Sequence, residues 1–150
     1  MIKSTNIKTK ENKELLLIDL CARLPYGIKF PYHMEKDCNH KECNCIAVIE
    51  SISKDRVEFT YEDNGYPIDW SCSLFQVKPY LRTMDSMTKE EEEEFVSFTD
   101  TMFRYGKDNN LCCLPLDAIQ WLLRNYFDFM GLIPKGLAIA VTKENNPYKQ

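Results

Sequence analysis

The sequence predicts an α+β fold: an antiparallel β-meander or small barrel-like sheet packed against an N-terminal helix and two C-terminal helices. Three observations carry this. Apolar residues recur at three- and four-residue spacing near the start, from Leu16 to Leu24, and again from Leu116 to Met130, the period of a helix with one buried face. Between them lie short runs that alternate apolar and polar, the period of a half-buried strand. Asn64-Gly65 stands between two such runs, and a two-residue type I′ hairpin turn, with positive φ at both positions, selects that pair.

Taken in order, residues 1–10 are polar and read as a loose tail. From Glu11, Leu16, Leu17, Leu20, Cys21 and Leu24 form an apolar stripe, with Glu14, Asp19 and Arg23 as its polar complement. Pro25 disfavours helical geometry at Leu24 and ends the segment; Tyr26 and Gly27 turn the chain. Ile28–Tyr32 is a short strand, and Pro31 places it at an edge. Ile46–Ile52 is an apolar, β-branched run. Ser53-Lys54-Asp55 connects it tightly to a strand in which Val57, Phe59 and Tyr61 alternate with Arg56, Glu58 and Thr60. After Asn64-Gly65, Tyr66, Ile68 and Trp70 alternate on the return strand, and Leu74–Val77 offers a further strand.

Thr88 with Glu91 three residues on forms a capping box, and Glu90–Glu94 place negative charge where the helix dipole favours it. Phe95, Phe98 and Met102 supply that helix's apolar stripe, and residues 104–114 read as a loop. The clearest helix runs from Leu116 to Met130, with Ile119, Leu122, Leu123, Tyr126, Phe127 and Met130 on one face, Pro115 in its first turn and Gly131 at its stop. Leu137–Val141 is a last strand returning to the sheet, and residues 143–150 are a second polar tail. At 150 residues the chain reads as one domain spanning 1–150, since domains run to roughly 100–200 residues.

Composition narrows the function. The chain is 44% hydrophobic and 12% aromatic, enough to fill a core without disulfides or metal. Lys and Arg total 19 against 23 Asp and Glu, a net charge of −4. Nucleic-acid binders rely on basic surfaces for phosphate contacts, so that class is disfavoured. There are seven cysteines, an odd number, and no apolar leader follows Met1. The expectation is a cytoplasmic protein with reduced thiols. The longest apolar run is about half of what a membrane crossing needs, so no membrane is expected.

Three stretches are specific as strings: Leu20-Cys21-Ala22-Arg23-Leu24-Pro25-Tyr26-Gly27; Val77-Lys78-Pro79-Tyr80-Leu81-Arg82 leading to Ser86-Met87-Thr88; and Asp128-Phe129-Met130-Gly131-Leu132-Ile133-Pro134-Lys135-Gly136-Leu137-Ala138. Together they resemble a widespread family of small uncharacterised proteins from gut anaerobic bacteria and their phages. The resemblance spans most of the chain in order. It implies a bacterial or phage setting and an accessory role, and supplies no catalytic residues. The chain departs from the family pattern around Cys38–Cys45. Physically, each of the three stretches sits where elements meet, and tight corners explain their Pro, Gly and aromatic residues without a ligand.

Among the chemistry-bearing residues, Cys38, His40, Cys43 and Cys45 are the densest group, with His33 nearby. A turn at Lys41-Glu42 would point all four side chains to one face. Thiolates with imidazole are what Zn²⁺ prefers, but the spacing matches no standard finger, and no cofactor is otherwise implied. Nucleophilic catalysis needs a base beside the nucleophile, and only His33 and His40 could supply an imidazole. Cys21 reads as core packing and Cys112-Cys113 are not spaced as a redox pair. The five glycines are scattered singly, so no phosphate loop exists. Surplus aromatics remain: Tyr66, Trp70, Tyr80 and Trp121, with Arg82, are the candidate ligand- or partner-binding residues, since Tyr, Trp and Arg are enriched at interface centres. Trp121 and Phe129 lie off the main stripe of their helix. The favoured reading is a non-catalytic module that binds a protein partner or a second copy of itself. The alternatives are a small-ligand or nucleotide pocket between sheet and last helix lined by Trp70, Tyr80 and Arg82, and a zinc-stabilised domain.

Overall fold

The computed structural model describes residues 9–32, 45–98 and 114–149. Helix α1 covers Lys10–Arg23 and opens on Thr9, whose side chain accepts from the Asn12 backbone N–H at 3.2 Å. Leu24–Tyr26 make one 3₁₀ turn, and Gly27, with φ of 73°, releases the chain into strand β1, Lys29–Tyr32. β2 (Cys45–Ile52), β3 (Arg56–Asp63) and β4 (Tyr66–Ser73) follow. The four strands form an antiparallel meander in the order β1-β2-β3-β4. Asn64 and Gly65 take φ of 51° and 82°, the positive pair of a type I′ turn. The sheet does not close into a barrel: among the described residues β1 and β4 are its two edges.

Two expected strand features are corrected. Leu74–Gln76 is a 3₁₀ turn, not a strand, because Ser73 and Gln76 cap it reciprocally. β6 is only Ile139–Ala140 and does not join the main sheet; it lies parallel to β5, Tyr80–Leu81, in a sheet of its own.

One face of the meander is apolar. Phe30, Ala47, Ile49, Val57, Phe59, Tyr61 and Cys72 are buried there with Leu16 and Leu20 of α1 and with Leu132 and Leu137 from the C-terminal segment. Between Ile49 and Ser51 the β2–β3 register slips by one residue, a bulge that leaves Glu50 exposed and increases local twist. Tyr32 on β1 reaches over β2 to meet Phe59 on β3 at 4.6 Å between ring centroids.

A second cluster joins the remaining helices. α2 spans Lys89–Phe98, and its capping box is made in full: Glu91 N–H donates to the Thr88 hydroxyl at 3.2 Å and Thr88 N–H to the Glu91 carboxylate at 3.0 Å. α3 spans Leu116–Arg124, and Phe95, Ala118, Trp121, Leu122 and Phe127 pack together. Met102 and the expected loop at 104–114 fall outside the described residues except for Leu114.

The helix expected to reach Met130 stops at Arg124. Tyr126 adopts φ of 62°; its N–H donates to Leu123 O and the Phe127 N–H to Leu122 O. That paired pattern is a Schellman ending, in which glycine usually takes the left-handed position. Here tyrosine takes it, held by its ring, stacked on Tyr148 at 3.6 Å, and by its hydroxyl, which donates to Tyr26 O. The segment expected as a loose tail is likewise tied down as far as Tyr148. That side chain's hydroxyl accepts from Lys29 N–H at 3.1 Å and donates to Tyr80 O at 2.9 Å.

Candidate functional site

The three motif stretches converge on a buried polar knot. α1 buries Leu16, Asp19, Leu20 and Arg23, so the face expected to carry Cys21 inward is rotated, and Cys21 is exposed. Arg23 and Asp19 have side chains with no solvent access. Arg23 Nε donates to one Asp19 oxygen at 2.8 Å, and Nη2 to the other at 3.0 Å and to Phe127 O at 2.7 Å. Asp128 accepts from Leu132 N–H and Ile133 N–H, both at 2.8 Å, which fixes the corner leading to the last strand. Arg82 joins from the second motif: its backbone bridges Phe127, its guanidinium lies 4.2 Å from the Phe127 ring centroid, and both its terminal nitrogens donate to Glu91.

The knot's electrostatics suit a structural role. Burial raises the Asp19 carboxyl above its ordinary range, and Arg23 only partly opposes this. Arg82 holds the Glu91 carboxyl below its ordinary range. Arg23 Nη1 alone finds no hydrogen-bond partner among the described residues, and the guanidinium lies 5.6 Å from the Phe129 ring centroid. Each charge in the knot is spent on holding a neighbouring backbone or counter-charge. The Pro, Gly and aromatic residues of the motifs make tight corners between elements.

The arrangement that faces outward is the β4 edge. In the hairpin, Tyr66 pairs with Asp63, Ile68 with Tyr61, Trp70 with Phe59 and Cys72 with Val57, so these four point to the apolar face, because directly opposed residues share a face. Cys72 is buried, yet Tyr66 is 74% and Trp70 53% exposed. The apolar row of β4 therefore continues beyond what α1 and the C-terminal segment cover. Burial and the neighbouring Cys72 raise the Tyr32 hydroxyl above its ordinary range, and Trp70 only partly opposes this. Burial also pushes the Cys72 thiol up to about 11, which leaves it poorly nucleophilic at neutral pH.

The opposite face of the meander is polar and open. Glu50, Glu58, Glu62 and Asp69 are exposed there with Arg56. Thr60 donates to Asp69 at 2.8 Å, Arg56 to Ser71 and Ser51 to Glu58. A shallow groove of about 880 Å³ lies on this face.

The remaining residues singled out from sequence are dispersed. Trp121 is buried at 4% exposure, stacked on Phe127 at 5.5 Å and 14°; it is core. Tyr80 is half-buried in β5 and Arg82 is committed to Phe127 and Glu91. The groove on the outer sheet face does not include Tyr80 or Arg82, although Trp70 lines it. Tyr66 and Trp70 are the pair that β4 does bring onto one surface. Cys45 is half-buried on β2 opposite Tyr32, while Cys38, His40 and Cys43, with His33, lie outside the described residues. Among the described residues no three His, Cys, Asp or Glu side chains are placed to hold a metal ion, and no helix is long and apolar enough to cross a membrane.

Asp19, Arg23 and Asp128 escaped the sequence reading. A faint signal existed: Asp19 and Arg23 are four apart and bracket Leu20, inside the apolar stripe rather than opposite it. Comparison with models of known families, with curated proteins and with solved structures finds no match for this chain.

Proposed function

We propose that this chain is a non-catalytic protein-binding module, the accessory protein of a bacterium or phage, that docks a partner in the cytoplasm through Tyr66 and Trp70 on the β4 edge. One observation carries the reading: two large aromatic side chains stand in the apolar row of the sheet and remain 74% and 53% exposed. Aromatic residues that offer large area with few rotamers are the usual anchors of protein interfaces. The Cys72 thiol, buried and pushed up to about 11, and a polar knot whose charges hold backbone groups and counter-charges also favour binding over chemistry. The bacterial or phage setting is supported by the three motifs, and the compartment by the odd cysteine count.

The test compares immobilised wild-type protein, the Tyr66→Ala/Trp70→Ala variant and a Leu116→Ala control in lysate of the producing cell. Leu116 is equally exposed to solvent, at 68%, but far from β4 in the chain. A partner held by wild type and control and lost by the double variant is expected. The same bound set on all three proteins would remove the reading.

A further inference from the structure

The β4 edge offers backbone as well as side chains, and its hydrogen-bonding pattern says what would fit. Asp63 and Tyr66 flank a two-residue turn, so they are a hydrogen-bonded pair, and bonded and non-bonded pairs alternate from there. Tyr66, Ile68, Trp70 and Cys72 therefore bond inward to β3. Pro67, Asp69, Ser71 and Ser73 turn their backbone groups to the open side. The position of Pro67 agrees, since its missing N–H costs nothing there. Ser73 N–H is capped by Gln76 at 3.1 Å. The N–H and C=O of Asp69 and Ser71, with Pro67 C=O, are then the groups available to another strand, among the described residues.

Side chains set the chemistry of that strand. On the apolar face it would lie beside Tyr66, Ile68 and Trp70, extending their row. On the outer face it would lie beside Asp69, with Glu58 one strand further in and Glu62 and Glu50 on the same face. Arg56 is the cation of that stretch and donates to Ser71, while Lys29 on the far strand donates to Pro147 O. A second copy fits poorly, because pairing β4 with itself brings two acidic faces side by side, and like charges across a strand pair are destabilising.

We infer that the partner supplies an extended segment that adds to β4 as a fifth strand, with apolar side chains at alternate positions and lysine or arginine between them. The inference rests on the docking role proposed above and specifies its mode. Backbone bonds give such strand addition its affinity and alternate side chains its selectivity.

The test uses ¹⁵N-labelled full chain and three blocked octapeptides: alternating valine and lysine, alternating valine and glutamate, and the valine–lysine peptide N-methylated on alternate amides. The valine–lysine peptide should slow amide exchange at Asp69 and Ser71 and bind at least tenfold more tightly than the other two. Asp69→Lys should narrow or invert the preference between lysine and glutamate peptides. Equal binding of the lysine and glutamate peptides, or no binding of any, would overturn the inference. Slow exchange at Asp69 and Ser71 in dilute free protein would also overturn it, by showing the edge already filled from within the chain; protection that grows with protein concentration would assign it to a second copy. Equal binding of the methylated peptide, lost in Trp70→Ala, would overturn strand addition while leaving side-chain docking at Trp70 intact.

Discussion

Replacing Arg23 alone with methionine is expected to cost about 3–5 kcal/mol, the range for removing one member of a buried ion pair. Both side chains are without solvent access. Arg23→Met strips the Asp19 carboxylate of two charge-assisted bonds and the Phe127 carbonyl of its donor. Asp19→Leu strands the guanidinium in the same way, at about the same cost. The double variant removes both charges and leaves the Phe127 carbonyl as the unpaired group, for which about 1–3 kcal/mol is expected. Burial raises the Asp19 carboxyl despite Arg23, so the pair does not fully offset its own desolvation. Under that condition apolar replacement of the whole pair is tolerated. The double variant should therefore be more stable than either single one. Urea unfolding followed by tryptophan fluorescence and by far-ultraviolet circular dichroism measures this, provided the two transitions coincide and the slopes match. With total stability of about 5–15 kcal/mol for a domain, the singles should be compared in the cold. Losses that simply add in the double variant would refute the reasoning.

Three further outcomes follow from the same structure. Gly65→Ala, at φ of 82° with no steric obstruction nearby, should cost about 1–2 kcal/mol, the penalty of the left-handed region; an unchanged unfolding midpoint would mean that the turn is not type I′. Glu91 is held below its ordinary value near 4.5 chiefly by Arg82, so its stabilisation is present above that value and lost as pH falls through the folded one. Melting temperature in wild type should therefore fall more steeply than in Glu91→Gln below about pH 4.5, with a neutral-pH gap of about 1 kcal/mol or less because the pair is partly solvated; parallel pH curves would contradict this. In native protein at pH 8, iodoacetamide should label Cys21 quickly and Cys72, with its thiol near 11, only after unfolding. Peptide mapping by mass spectrometry reads both sites, and comparable rates would place Cys72 at the surface.

The meander was legible because its signals are local: alternation at Val57, Phe59 and Tyr61, one Asn-Gly turn, and Pro31 on an edge strand. α1 and the Thr88 capping box were legible for the same reason. What escaped depends on groups far apart in the chain. Asp19 and Arg23 read as solvated charges, yet the carbonyl that helps to bury Arg23 lies 104 positions away. The early end of α3 was hidden because tyrosine, not glycine, takes its left-handed position, supported by Tyr148 and Tyr26. Leu74–Gln76 looked like a strand until Ser73 and Gln76 were seen to cap it. At the candidate site, period two correctly set Tyr66 and Trp70 on one face. Their exposure depends on where the covering layer ends, which no local pattern records, and Trp121 is hidden by a separate cluster, against Phe95 and Phe127.

Tyr148 hydrogen-bonds the backbone of residue 29 and that of residue 80, and stacks on Tyr126. Every one of those partners leaves the ribosome earlier than Tyr148 does. The Lys29 amide thus waits through 119 further residues of synthesis for its acceptor, and a nascent chain halted before position 148 carries the meander without its clasp.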